Sequence, residues 1–385
     1  AVQLIRGKKG SEVRLTVEKM DGTIKIIPII RDVVILEETY AKSIIVSDKN
    51  NKVKIGYIYL PKFYADFDDR NGRRCSKDVK AEILKLKKEN LDGIILDLRN
   101  NGGGSLQDAI DMSGLFIENG PIVQVKGRGQ PQQVYKDRDS KVVYGGPLLV
   151  MVNTFSASAS EILAAAMQDY GRAIIFGSKS THGKGTVQRF VDFDNFTKNN
   201  DVKPLGVIKL TTQKFYRING ETTQLKGVIP DIIFPDSYSY IDDTGEKELE
   251  YALKWDNIQA TKFEAWDKTY DMEEIIHNSE YRMENDTVFD VIRANADRIK
   301  EQRDKTEISL NLDKYTKEQK EKKERTKRYK ASTKHDTDLS FRFLEEDKLT
   351  MEQDTFKRIS YEEWQKDLQK DIYIKEAINI LIDMQ

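Results

Sequence analysis

Gly93-Ile-Ile-Leu-Asp-Leu-Arg-Asn-Asn-Gly-Gly-Gly-Ser105 is an apolar run that ends in three glycines and a serine. The run reads as a buried strand, and the residues after Ser105 take up helical spacing. Working outward, apolar strands are expected over Ile55–Leu60, Gly93–Leu98, Pro147–Val152 and Ala173–Phe176. Helices are expected between them, over Asp78–Glu89, Leu106–Ile117 and Ala159–Tyr170. Strand and helix in alternation, with glycines at the strand ends, give an α/β layered core from Lys54 to about Pro235.

The flanks differ in texture. Glu12–Val17 and Thr23–Pro28 read as short strands joined by a turn at Asp21-Gly22. Beyond Asp236 glycine almost vanishes, charge dominates and apolar residues fall at helical spacing, so 245–385 is expected to be mostly helical. With 385 residues the chain has room for two or three domains.

Composition excludes several classes. Lys and Arg number 63 against 64 Asp and Glu, so no overall field favours nucleic acid. Lys314–Lys330 holds nine basic and three acidic residues, which reads as a solvated helix face. Cys75 is the single cysteine, and His182, His277 and His335 lie far apart, so neither a disulfide framework nor a local metal site is expected. Apolar runs such as Pro147–Val152 fall far short of the ~20 residues of a membrane helix. Ala1–Gly10 shows neither an initiator Met nor a signal pattern and reads as the start of a fragment.

Three segments carry candidate chemistry. The glycines of Asp97–Ser105 let backbone N–H groups face an anion or a carbonyl oxygen, or simply form a tight turn. No Lys-Ser/Thr pair follows them, which disfavours a phosphate loop. Asn153-Thr-Phe-Ser-Ala-Ser-Ala-Ser-Glu-Ile162 places Ser158 three residues before Glu161, the spacing of a helix capping box. A serine there also suits a nucleophile, since the helix N-terminus favours a developing oxyanion. Thr181-His-Gly-Lys-Gly-Thr-Val-Gln188 sets Lys184 between glycines, where a desolvated amine can act as a general base, with His182 as the competing base.

Together these segments resemble the tail-specific proteases, or C-terminal processing peptidases, in their long bacterial form. The resemblance continues through Ser113-Gly-Leu-Phe-Ile117, Gly120-Pro-Ile-Val-Gln-Val125, Ala164-Ala-Ala-Met-Gln-Asp-Tyr-Gly-Arg-Ala173, Gln213-Lys-Phe-Tyr-Arg-Ile-Asn-Gly220 and Lys226-Gly-Val-Ile-Pro-Asp-Ile-Ile233. It implies a ClpP/crotonase-like α/β protease core at 37–240, preceded by the end of a PDZ domain at 1–36 and followed by a helical domain at 241–385. It further implies a Ser–Lys endopeptidase that recognises unstructured C-termini, with Ser158 as nucleophile and Lys184 as base. Gln188, one helical turn past the lysine, would help hold that base, and the N–H groups of Gly104 and Ala159 would form the oxyanion hole. No metal or organic cofactor is implied. Polypeptides are the implied partners, with room for an adaptor protein, and the implied location is the periplasm or cell envelope.

Two departures stand out. Ser178–Gly183 holds one residue more than the usual loop and has His182 where Phe is common. The carboxylate-binding PDZ groove is expected to lie upstream of Ala1, which leads to the expectation that this chain folds but is slow or inactive. Rival readings are an idle peptide- or partner-binding scaffold of the same fold and a crotonase-like acyl-CoA enzyme, which has no need of Lys184.

Overall fold

The central strands are apolar over most of their length because both faces of their sheet are covered. The structure, a computed structural model, describes all residues except 1, 19–23, 33–38, 49–51, 68, 70, 197–202, 268, 269 and 333–336. They group into two units, Ala1–Thr39 and Tyr40–Gln385.

In the first unit a single helical turn, α1 (Val2–Ile5), precedes β1 (Glu12–Glu18) and β2 (Ile24–Ile30). The strands pair antiparallel, Glu12 opposite Ile30 and Glu18 opposite Ile24. The turn expected at Asp21-Gly22 lies outside the described residues. The Arg31 guanidinium closes the unit by donating to the carbonyls of Ile5 and Glu12 at 2.7 and 2.9 Å.

The second unit begins with β3 (Lys42–Asp48), β4 (Lys54–Tyr59), α2 (Cys75–Leu86), β5 (Gly93–Asp97) and α3 (Leu106–Ser113). It continues with β6 (Gly120–Gly127), β7 (Gln133–Asp137), β8 (Leu148–Val152), α4 (Ala159–Asp169) and β9 (Ile174–Gly177). A long hairpin, β10 (Thr186–Asp192) and β11 (Val207–Tyr216), precedes the short β12 (Ile232–Ile233). Then come α5 (Met272–Glu284), α6 (Thr287–Asp304), α7 (Leu312–Ser332), β13 (Leu339–Arg342), α8 (Glu345–Gln353), α9 (Thr355–Leu368) and α10 (Ile372–Asp383).

Among the described residues, seven strands form the main sheet in the order β12-β9-β8-β5-β4-β3-β13, parallel from β12 to β4. The seventh strand comes from the otherwise helical C-terminal region, pairing antiparallel to β3 with Phe341 opposite Val46. That pairing was not visible in a stretch of helical texture. A smaller antiparallel sheet runs β10-β11-β6-β7.

The period of two along a strand divides the core. Ile94 and Leu96 of β5, with Val150 and Val152 of β8, pack with Val79 and Ile83 of α2 and Leu163 and Met167 of α4. Ile95, Leu149 and Met151 face the other way, onto Ile275, Phe289, Ile378 and Leu381 of the C-terminal helices. Helices thus cover the sheet on both sides. The carboxyl ends of β5, β8 and β9 run into the Asn-Gly loop, the serine run and the lysine loop, where an open α/β sheet places its ligands.

Candidate active site

Between β8 and α4 the chain makes a tight corner whose serines have different tasks. Ser156 Oγ donates to the Leu98 carbonyl and Ser160 Oγ to the Asn101 carbonyl, both at 2.8 Å. Both residues are fully buried, and their hydroxyls tie the run to the Asn-Gly loop. Ser158 is the N-cap of α4 at φ 58° and ψ −109°. That conformation costs a residue other than glycine about 1–3 kcal/mol and persists only when its surroundings impose it. Among the described residues the Ser158 hydroxyl donates to no carbonyl.

The Asn-Gly loop is pinned from several sides. Asn100 N–H donates to Asn153 Oδ1, and Asn153 Nδ2 donates back to Asn100 Oδ1, both at 2.9 Å. Asn101 Oδ1 accepts from Gly103 N–H, and Ala157 N–H donates to the Asn101 carbonyl. Phe63 brackets the glycines, donating to the Gly103 carbonyl and accepting from Ser105 N–H. The N–H groups of Gly104 and Ala159, like that of Gly102, have no acceptor among the described residues. Only glycine fits position 104, since at φ +147° a Cβ would stand 2.0 Å from the Phe63 carbonyl oxygen. A Cβ on Gly103 would stand 2.8 Å from Ser158 Cβ and 3.0 Å from Ala159 N, so the two segments lie against each other.

The lysine loop is held through its backbone. His182 N–H donates to the Ser156 carbonyl, and Leu225 N–H donates to that of Gly183. Thr223 Oγ1 donates to the Lys184 carbonyl at 3.0 Å, and Gly185 N–H donates to Gln224 Oε1 at 2.8 Å. At the centre is Glu161. Its Oε1 accepts from Thr181 Oγ1 and Gly183 N–H, each at 2.7 Å. Its Oε2 accepts from Ser158 N–H at 2.8 Å and Lys184 N–H at 3.0 Å. Burial pushes the Glu161 carboxyl up to about 7, against the pull of these hydrogen bonds toward the carboxylate. One side chain therefore joins the segments that carry Ser158 and Lys184. The sequence marked Glu161 only as a helix cap; its bonds to residues more than twenty positions away left no local signal.

Ser158, Lys184, Gly104 and Ala159 thus sit on three adjoining loops, although no hydrogen bond joins the side chains of Ser158 and Lys184 among the described residues. At Gln188 the spacing of one helical turn does not hold, because Thr186–Asp192 is a strand, and Gln188 sits exposed at a β-bulge with no hydrogen bond to Lys184 among the described residues. The strand forms because β11 pairs along it, which overrides the local spacing. His182 Nε2 points to Glu246 Oε2 at 3.8 Å. Burial lowers the His182 pKa, with the Lys184 charge acting the same way and Glu246 opposing both.

Residues 54–234 match peptidase family S41, and residues 239–385 match the C-terminal domain of tail specific protease. The region 54–234 belongs to peptidase family S41. Over 388 aligned residues the chain is 39% identical to the tail-specific protease of Haemophilus influenzae, covering 99% of the chain and 52% of that protein. It is 34% identical to a carboxyl-terminal-processing protease of a Picosynechococcus species, over 66% of the chain and 57% of that protein. The chain therefore spans about half the length of these curated relatives. A solved photosystem II D1 C-terminal processing protease superposes with a TM-score of 0.43 at 23% identity, covering 59% of the chain and 56% of that structure.

Proposed function

We propose that the chain is the catalytic part of a tail-specific serine endopeptidase that hydrolyses polypeptides with unstructured C-termini. The observation that carries the reading is the arrangement at the start of α4. A serine in a strained conformation stands there beside the N–H groups of Gly104 and Ala159, which meet no acceptor among the described residues. Membership of residues 54–234 in peptidase family S41 and the similarity to tail-specific and carboxyl-terminal-processing proteases support it.

In this mechanism the neutral Lys184 amine takes the Ser158 hydroxyl proton as Oγ attacks the scissile carbonyl carbon. The carbonyl oxygen becomes an oxyanion, stabilised by Gly104 and Ala159 N–H and by the positive end of α4. Collapse breaks the C–N bond, and the Lys184 ammonium returns its proton to the departing amine. Water, deprotonated by Lys184, then cleaves the Ser158 ester and frees the enzyme. Glu161 keeps both loops in register. Gln188 in this reading orients the lysine amine, for which its exposed amide swings inward. Residues 1–36 read as the closing part of a PDZ module, and the cell envelope is the proposed setting. No helix among the described residues is long and apolar enough to cross a membrane.

The test is labelling by a fluorophosphonate together with hydrolysis of an unfolded reporter. Wild type should carry the label on Ser158, and Ser158→Ala should lose both label and cleavage. An unlabelled wild-type chain whose reporter binding is unaffected by Ser158→Ala would favour the idle-scaffold reading.

A further inference from the structure

We infer that the C-terminal region is part of the active site, through two positioning residues: Glu246 holds the lysine loop and Asp371 holds the Asn-Gly loop. The inference rests on the Ser158–Lys184 reading above. Both carboxylates lie within 239–385, the stretch matched by the C-terminal domain of tail specific protease.

Glu246 acts through Gln224. The Gln224 side chain is fully buried between Gly185 N–H, which donates to its Oε1 at 2.8 Å, and Glu246 Oε1, which accepts from its Nε2 at 3.1 Å. An amide has one accepting and one donating end, so something must fix which way round it lies. A carboxylate only accepts. Glu246 therefore turns the NH2 group toward itself and presents the oxygen to Gly185, the residue after Lys184. Flipped, the amide would set donor against donor at Gly185 and leave a buried N–H unpaired, which is unfavourable. Glu246 also grips the loop directly, its N–H donating to the His182 carbonyl at 2.9 Å. Gly245 permits that approach, since a Cβ there would stand 2.3 Å from the same oxygen.

Asp371 acts through Arg99. The alternation along β5 turns Asp97, like Ile95, toward the C-terminal helices. Arg99 Nε donates to both Asp97 oxygens at 3.0 and 2.9 Å, and Nη2 bridges Asp97 Oδ2 at 2.6 Å and Asp371 Oδ2 at 2.7 Å. The Arg99 side chain is only 14% exposed, so these bonds are sheltered from water. Asp371 is itself fixed as the N-cap of α10, accepting from Tyr373 N–H at 3.0 Å. A helix end of the C-terminal region thereby clamps the residue that leads directly into Asn100–Gly104.

The test uses the whole chain with Glu246→Ala, Glu246→Gln, Asp371→Asn and, as control, Asp271→Ala. Asp271 caps α5, its side chain accepting from Glu273 and Glu274 N–H, and it has no hydrogen bond to either loop among the described residues. Asn at 371 still caps α10 but removes the charge that Arg99 meets. Glu246→Ala should lower kcat on the unfolded reporter at least tenfold with KM within twofold, and speed hydrogen exchange at Gly185. Glu246→Gln, which can still accept from Gln224, should recover most of both. Asp371→Asn should lower kcat several-fold and speed exchange at Asn100–Gly103, while Asp271→Ala should leave kcat and both loops unchanged. Wild-type exchange and kcat in Glu246→Ala and Asp371→Asn, or an equal kcat loss in Asp271→Ala, would overturn the inference. If Glu246→Ala fails to fold, Glu246→Gln and Asp371→Asn decide it on the same readouts. The exchange readout does not involve Ser158, so an active Ser158→Ala variant would defeat the dyad while leaving the positioning result legible.

Discussion

Glu161 Oε2 accepts a hydrogen bond from the backbone N–H of Lys184 at 3.0 Å. Every hydrogen bond to the two Glu161 oxygens comes from a donor and favours the carboxylate, while burial favours the neutral acid more strongly.

A pH dependence follows. With its pKa at about 7, Glu161 takes up a proton as the solution is acidified through neutrality. That proton turns one Glu161 oxygen into a donor, which meets a donating N–H group or reverses the Thr181 hydroxyl, loosening the tie between the two loops. We expect kcat/KM to fall on the acid side with an inflection near 7, and Glu161→Gln to be poorly active and to lack that inflection. The folded-state value lies above the ~4.3 of free glutamate, so the contribution of Glu161 to stability is complete below about 4.3 and lost as pH rises to about 7. Melting of wild type and Glu161→Gln across that window checks the sign.

The serines should separate chemistry from structure. Ser158→Ala and Lys184→Ala are expected to abolish cleavage with the fold intact. Ser156→Ala and Ser160→Ala should keep cleavage but lose about 1 kcal/mol each, because each hydroxyl bonds a carbonyl of the Asn-Gly loop. Reporter hydrolysis and urea unfolding report the two effects independently. An inactive, stably folded Ser160→Ala would move the nucleophile.

Backbone strain gives a third outcome. Ser158→Gly removes the penalty of φ 58° and should raise stability by about 1 kcal/mol over wild type, whereas Ser158→Ala should not. At Gly104 the direction reverses: Gly104→Ala forces the Phe63 carbonyl away and should lose both stability and activity. Thermal melts of the three variants test this directly.

The choice of base is testable at His182 and Gln188. His182 faces Glu246, and His182→Phe should keep most of the rate. Gln188→Ala should reduce turnover less than Lys184→Ala does. A folded but inactive His182→Phe would transfer the base to that residue, and an unchanged rate in Gln188→Ala would leave Gln188 without a catalytic task.

What the sequence reveals and what it hides divide along physical lines. The strand Gly93–Asp97 and the helix Ala159–Asp169 were legible because their apolar runs and Gly or Ser boundaries are local. The serine run and the lysine between glycines were legible for the same reason. The second role of Glu161, the Gln224–Glu246 pair and the Arg99–Asp371 bridge were not, because each depends on chain separation closed only by tertiary packing. Leu339–Arg342 hid among helices because a four-residue edge strand leaves too short a pattern to read. Gln188 was set at a helical spacing that the β10–β11 pairing overrides.

Arg99 and Asp371 are separated by 272 residues of chain. At the ~5–20 residues per second of synthesis, that interval is roughly 14–54 s. The face of the sheet that carries Ile95, Leu149 and Met151 gains Ile275 and Phe289 within that interval and Ile378 and Leu381 only after it. A ribosome thus releases the serine run and the lysine loop long before the carboxylate that braces Arg99 exists. On the positioning reading proposed above, that brace is completed only 213 residues of synthesis after Ser158.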